Sequence, residues 1–173
     1  LRDVYKRQGQ GKANINHVVH DLADVLHQSG RLLIVVIPPP VSGNGQQQQQ
    51  QAASRAIFDL DDFELLKDKV DAFSLMTYDY ASHNGIIAPN APIDWVEKNV
   101  EYFFPASSSN SHAYRAKILL GLNFYGMKYE IDLQRNEHAR QPEPIIGSRF
   151  IDLIKEHTVE IKFEPESKEH IFL

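Results

Sequence analysis

Residues 32–37 read LLIVVI and run straight into Pro38, Pro39 and Pro40. Six consecutive aliphatic residues between breakers predict a strand buried on both faces, as in a parallel sheet, because a half-solvated strand would alternate. Proline has no N–H to give to a ladder, so the chain leaves the sheet at residue 38. Upstream, Ile15, Val18, Val19, Leu22, Val25 and Leu26 recur at helical spacing, which predicts an amphipathic helix over 14–28 with Gly30 as its stop. Downstream, residues 57–69 return to helical spacing through Phe58, Phe63, Leu65 and Leu66, and residues 72–78 form a second apolar strand. Residues 92–104 predict a third helix carrying Trp95, Val96, Val100 and Phe103, and residues 117–125 (KILLGLNFY) a third strand.

Strands alternating with helices at this spacing predict an α/β fold with a parallel sheet and right-handed crossovers. Residues 147–157 add a further helix, and residues 159–163 and 169–173 alternate weakly, as the arms of a hairpin do. A complete (β/α)8 barrel typically takes about 250 residues. The 173 residues here, with three apolar strands, therefore fit a fragment of a TIM barrel with a C-terminal hairpin insertion.

Composition narrows the function classes. There are 23 acidic and 18 basic residues, a net charge of -5, which is the wrong balance for a nucleic-acid footprint. No apolar run approaches the ~18 residues of a membrane span. The absence of cysteine excludes disulfides, thiolate catalysis and cysteine-based zinc sites. Residues 1–8 (LRDVYKRQ) read as an adaptor-derived artefact, leaving 9–173 as the domain, and the glutamine tract 46–51 reads as a solvated loop insertion within 43–54.

In parallel α/β folds, chemistry collects at the C-terminal ends of the strands. The second strand ends in Met76, Tyr78, Asp79 and Tyr80, and the third in Asn123, Tyr125 and Gly126. Flat rings beside donors and acceptors suit a polar ring such as a sugar. On the residues alone a second reading stands beside it, in which Tyr78 and Tyr125 close the core and Asp79 caps a loop.

Other groupings are weaker. His17, His20 and His27 share the first helix without a third ligand of the right type, so a solvated face is expected. Asp59, Asp61 and Asp62 lack the glycine and terminal glutamate of a calcium loop and are expected to complement a helix N-terminus. Gly43 and Gly45 have no Lys-Ser/Thr after them to form a phosphate loop. No cofactor or metal is expected.

SLMTYDY (residues 74–80) and KILLGLNFYG (residues 117–126) resemble the sixth- and seventh-strand motifs of glycoside hydrolase family 18. RLLIVVIPP (31–39), NGIIAPNAPIDWV (84–96) and PIIGSRFIDLIKEH (144–157) fit its stabilin-interacting, chitinase-like subgroup, in the same order. The resemblance runs from about residue 14 to the C-terminus. It implies barrel strands five to seven, with the catalytic glutamate of strand four falling before residue 14 and the strand-eight tryptophan beyond residue 173. No catalytic residue is therefore assigned. The sugar site it implies is Met76 beneath the ring, Tyr78 donating to the N-acetyl group with Asp79 beside it, and Asn123 with Tyr125 on the far wall. The subgroup implies a secreted or lysosomal protein that binds N-acetylglucosamine oligosaccharides, without hydrolase activity, and a scavenger-receptor-type partner. The alternatives are an active chitinase or N-acetylglucosaminidase, or an interaction scaffold.

Overall fold

The computed structural model describes residues 2–41, 57–80, 87–105, 111–130, 142–157 and 159–172. Its centre is a three-stranded parallel sheet of β1 (Ile34–Ile37), β2 (Ala72–Leu75) and β3 (Ile118–Leu120), in that spatial order. Val36 stands opposite Ser74, and Ser74 opposite Leu119, so the inner face carries Ile34, Val36, Ala72, Ser74 and Leu119. The other face packs on helices and forms the core.

That core is aromatic. Phe63, on α2 (Leu60–Leu66), sits 5.1 Å from Phe73 of β2 and 5.1 Å from Phe103, which follows α3 (Ile93–Tyr102). Phe58, Leu66, Val70, Ile37, Leu75 and Phe104 complete the cluster. Tilted ring pairs at these separations add to the stabilisation from buried area. α1 (Arg2–Gln28) lies against α2, burying Ala23 and packing Val19 on the core. α1 ends as its glycine predicts. Gly30 takes φ +68, its N–H reaches His27 O at 2.9 Å, and Arg31 N–H reaches Leu26 O at 2.9 Å, a Schellman closure.

The strand-amino end of the sheet is tied by side chains reaching backbone. Asp71 accepts from Leu33 N–H at 2.7 Å, and Lys117 Nζ donates to Lys67 O and Val70 O at 2.6 and 2.8 Å. Asp59 and Asp62 form a reciprocal capping box at the start of α2, the helix-terminus role expected of that acidic group.

Five expectations need correction. The strand over 32–37 is buried on one face only, since Ile34 and Val36 are 50% and 61% exposed. No described element lies over the inner face, so the run of aliphatics lacks its second layer. The helix expected over 14–28 extends back to Arg2, and that expected over 57–69 contracts to Leu60–Leu66. The strand expected over 72–78 stops at Leu75, where Thr77 N–H turns back to Leu75 O. The strand expected over 117–125 is two elements, because the chain leaves the parallel sheet after Leu120. It re-enters pairing as β4 (Tyr125–Lys128), antiparallel to β5 (Glu143–Ile146), against which α5 (Gly147–Glu156) packs. A short helix, α4 (Ser111–Arg115), precedes β3. The C-terminal hairpin forms as expected, β6 (Ile161–Glu164) pairing antiparallel with β7 (Glu169–Phe172). The glutamine insertion at 43–54 lies outside the described residues.

Candidate functional site

The turns leaving β2 and β3 meet because a glycine lets them. Gly121 N–H donates to Leu75 O at 2.8 Å, extending the ladder by one bond beyond β3. A Cβ at Gly121 would stand 2.8 Å from that carbonyl and 2.8 Å from the Tyr78 ring, so only hydrogen permits the approach. Thr77, fully buried, donates its hydroxyl to Gly121 O at 3.0 Å and closes the same junction. Beyond the end of β2 the Tyr78 ring lies against Gly121 and faces the Tyr125 ring.

Four of the five expected residues converge. Tyr125 OH donates to Asp79 Oδ1 at 2.5 Å, a charge-assisted bond, and the Tyr78 and Tyr125 rings meet edge-to-face at 6.3 Å. Asn123 Nδ2 donates to Tyr125 O at 3.1 Å, fixing the turn into β4. Burial, and then the Asp79 carboxylate, push the Tyr125 phenol well above its ordinary pKa. The Tyr78 hydroxyl has no hydrogen-bond partner among the described residues. Met76 is half-buried, and its N–H is bonded to Ile37 O at 3.0 Å, which places it between β1 and the other four.

Asp79 is held in an unusual backbone conformation. Its φ of +63 is left-handed, a region that aspartate tolerates better than most side chains but not freely. Buried Asn90 maintains it, since Asp79 N–H donates to Asn90 Oδ1 at 2.8 Å and Tyr80 N–H to Asn90 O at 3.0 Å. Asn90 in turn is gripped by the hairpin. Glu169 of β7 accepts from Asn90 N–H at 2.9 Å and from Ala91 N–H at 2.5 Å.

Asn90, Gly121 and Glu169 were not among the expected site residues. Asn90 and Gly121 lie inside the quoted motifs, where a buried asparagine beside prolines and a glycine after an apolar strand were the available signals. Glu169 had none, standing 79 residues from its partner on a hairpin of ordinary composition.

Among the described residues the histidines join no group that could hold a metal ion. His27 Nε2 pairs with Asp71 Oδ2 at 2.9 Å, while His20 Nδ1 lies 3.5 Å from Asp24. The site can offer an aromatic corner, the Tyr78 hydroxyl, and a carboxylate fixed against a phenol.

Comparison with known proteins agrees with this architecture. The profile of Glycosyl hydrolases family 18 matches residues 5–170. A chitinase from Chromobacterium violaceum superposes with a TM-score of 0.67 at 23% identity, over 95% of this chain and 45% of that one. A class V chitinase from Pseudomonas fluorescens Pf-5 gives 0.62 at 25% identity, over 93% and 43%. The Bacillus cereus spore cortex-lytic enzyme SleL gives 0.64 at 17%, over 93% and 33%. The chain thus spans less than half the length of these structures, and its sheet and helices correspond to part of a TIM-barrel-like α/β fold. With the profile matched along nearly all of its length, the chain belongs to glycosyl hydrolase family 18.

Proposed function

We propose that this chain forms one wall of a cleft that binds N-acetylglucosamine oligosaccharides without hydrolysing them. The observation carrying this reading is the Asp79–Tyr125 pair beside Tyr78, at the carboxyl ends of adjacent parallel strands. In family 18 the sugar's own N-acetyl oxygen attacks, and a protein carboxylic acid protonates the leaving group. On this reading β1, β2 and β3 are barrel strands five, six and seven. The Tyr78 hydroxyl donates to the N-acetyl carbonyl oxygen. Asp79, anchored by Tyr125, is oriented to accept from the acetamido N–H. Met76 lines the floor, and Asn123 with Tyr125 shapes the far wall.

The non-hydrolytic part of the proposal rests on the likeness of residues 31–39, 84–96 and 144–157 to the chitinase-like subgroup.

Calorimetric titration of the full-length protein with chitotetraose is expected to show saturable binding. Asp79→Asn and Tyr78→Phe should each weaken it by about tenfold, the loss of one good hydrogen bond to a bound polar group. A chromogenic chitobioside should remain intact, and steady release of chromophore would replace this reading with an active glycosidase. Absence of heat with chitotetraose, alongside binding of a spore-cortex glycan, would move the substrate class.

A further inference from the structure

We infer that Glu169, the first residue of β7 in the C-terminal hairpin, is a positioning residue that sets the Asp79–Tyr125 pair through Asn90. The connection is continuous. One carboxylate oxygen of Glu169 takes the Asn90 N–H and the other takes the Ala91 N–H, at 2.9 and 2.5 Å. Two adjacent peptide groups are thereby fixed by one charged side chain, in the manner of an anion held in a backbone nest. With its backbone immobilised, Asn90 turns its side chain into the site. Oδ1 accepts from Asp79 N–H at 2.8 Å, and Nδ2 donates to Tyr125 O at 3.4 Å. One side chain therefore bridges the turn after β2 and the first residue of β4, the two segments that carry the pair.

The hairpin is itself held rigidly enough to act as the fixed point. Glu164 accepts from the N–H groups of Glu166 and Ser167, closing the turn in which Lys168 takes φ +63. Ser167 O then receives the N–H of Ile93 at 3.2 Å, docking the turn on the start of α3. Two separate contacts thus join the hairpin to residues 90–93. Left-handed Asp79 is the element that needs such support, because its backbone would otherwise relax and carry the carboxylate away from the Tyr125 hydroxyl.

This inference rests on the proposed sugar site for its biological meaning, but its physical content is measurable without sugar. The titratable groups facing the Tyr125 hydroxyl are Asp79 and Tyr78. In the full-length protein, phenolate absorbance followed after rapid jumps to alkaline pH, with Tyr125→Phe as the subtraction, isolates Tyr125. Far-ultraviolet circular dichroism reports unfolding in the same samples.

In Glu169→Ala, Tyr125 is expected to ionise before the unfolding transition, at lower pH than in the parent. Glu169→Gln, which retains one acceptor, should fall between the two, and it decides the matter if the alanine variant does not fold. Chitotetraose affinity should drop by about tenfold in Glu169→Ala, the scale of a lost charge-assisted bond. Unchanged Tyr125 ionisation in both variants overturns the inference, whatever the sugar does. If the parent binds no chitooligosaccharide, the sugar reading fails alone, and the phenolate titration still decides the role of Glu169.

Discussion

Gly121 shows how much of this site depends on an absent methyl group. Its position 2.8 Å from both a carbonyl and the Tyr78 ring leaves no room for a side chain. Gly121→Ala is expected to destabilise the fold by about 1–3 kcal/mol, the range for forced overpacking. Because Tyr78 is the movable neighbour, the same variant should lose sugar affinity more than its melting temperature alone would suggest. Thermal unfolding and calorimetry on one preparation check both.

Asp71 governs a different property. The His27 ring and then the Leu33 N–H hold its carboxyl below the usual carboxylate range. The folded state therefore prefers the ionised form, so the contribution is present above that range and is lost as pH falls through it. Asp71→Asn should flatten the acid loss of stability between about pH 5 and pH 3, where the parent's denaturant midpoint declines. Asp24, Glu101 and Glu164 are lowered too, so the flattening is partial.

At the scale of elements, α3 is fastened to the segment leaving β1 by a buried amide. Asn99, with no exposed surface, accepts from Val41 N–H at 2.8 Å and donates to Trp95 O at 2.9 Å, while Trp95 Nε1 reaches Val41 O at 2.7 Å. Asn99→Leu keeps the branched skeleton but leaves the Val41 N–H without its acceptor. The expected cost is about 1–3 kcal/mol, read from chemical denaturation, with a change in Trp95 fluorescence.

The elements were legible in the sequence where a periodic apolar pattern met a clear breaker. α1 with Gly30, β1 before its prolines, α3 and the hairpin all follow that logic. The third strand was not, because KILLGLNFY is continuously strand-like. What divides it is a close approach at Gly121 and an antiparallel partner at 143–146, both tertiary facts. The same distinction holds at the site. Tyr78, Asp79, Asn123 and Tyr125 were placed by their position at strand ends, whereas Glu169 acts across a distance that no local pattern encodes. The structure also gives the carboxylate a partner the sequence did not suggest, the Tyr125 hydroxyl.

For the molecule as a whole, the uncovered aliphatics set the solution behaviour. Ile34, Val36 and Leu119 on the inner face of the sheet, with Leu122 and Phe124 beyond β3, are exposed together. α1 adds Ile15, Val18, Leu22 and Val25 on the side away from the core. Contiguous apolar surface beside strand edges promotes association. The 173-residue polypeptide produced alone should therefore elute as large species and scatter light on gentle warming. A monodisperse monomer with a sharp, reversible melt would contradict this.

The reach from Glu169 back to Asn90 also orders events in time. On the ribosome, chain grows at about 5–20 residues per second, so the 79 residues between them take roughly 4–16 s to appear. During that interval the strands and the aromatic core can assemble, but the turn bearing Asp79 has no clasp. The corner holding Asp79 and Tyr125 is thus the last part of this chain to mature during its synthesis, and a ribosome that stalls before the hairpin leaves behind a folded wall with that corner unset.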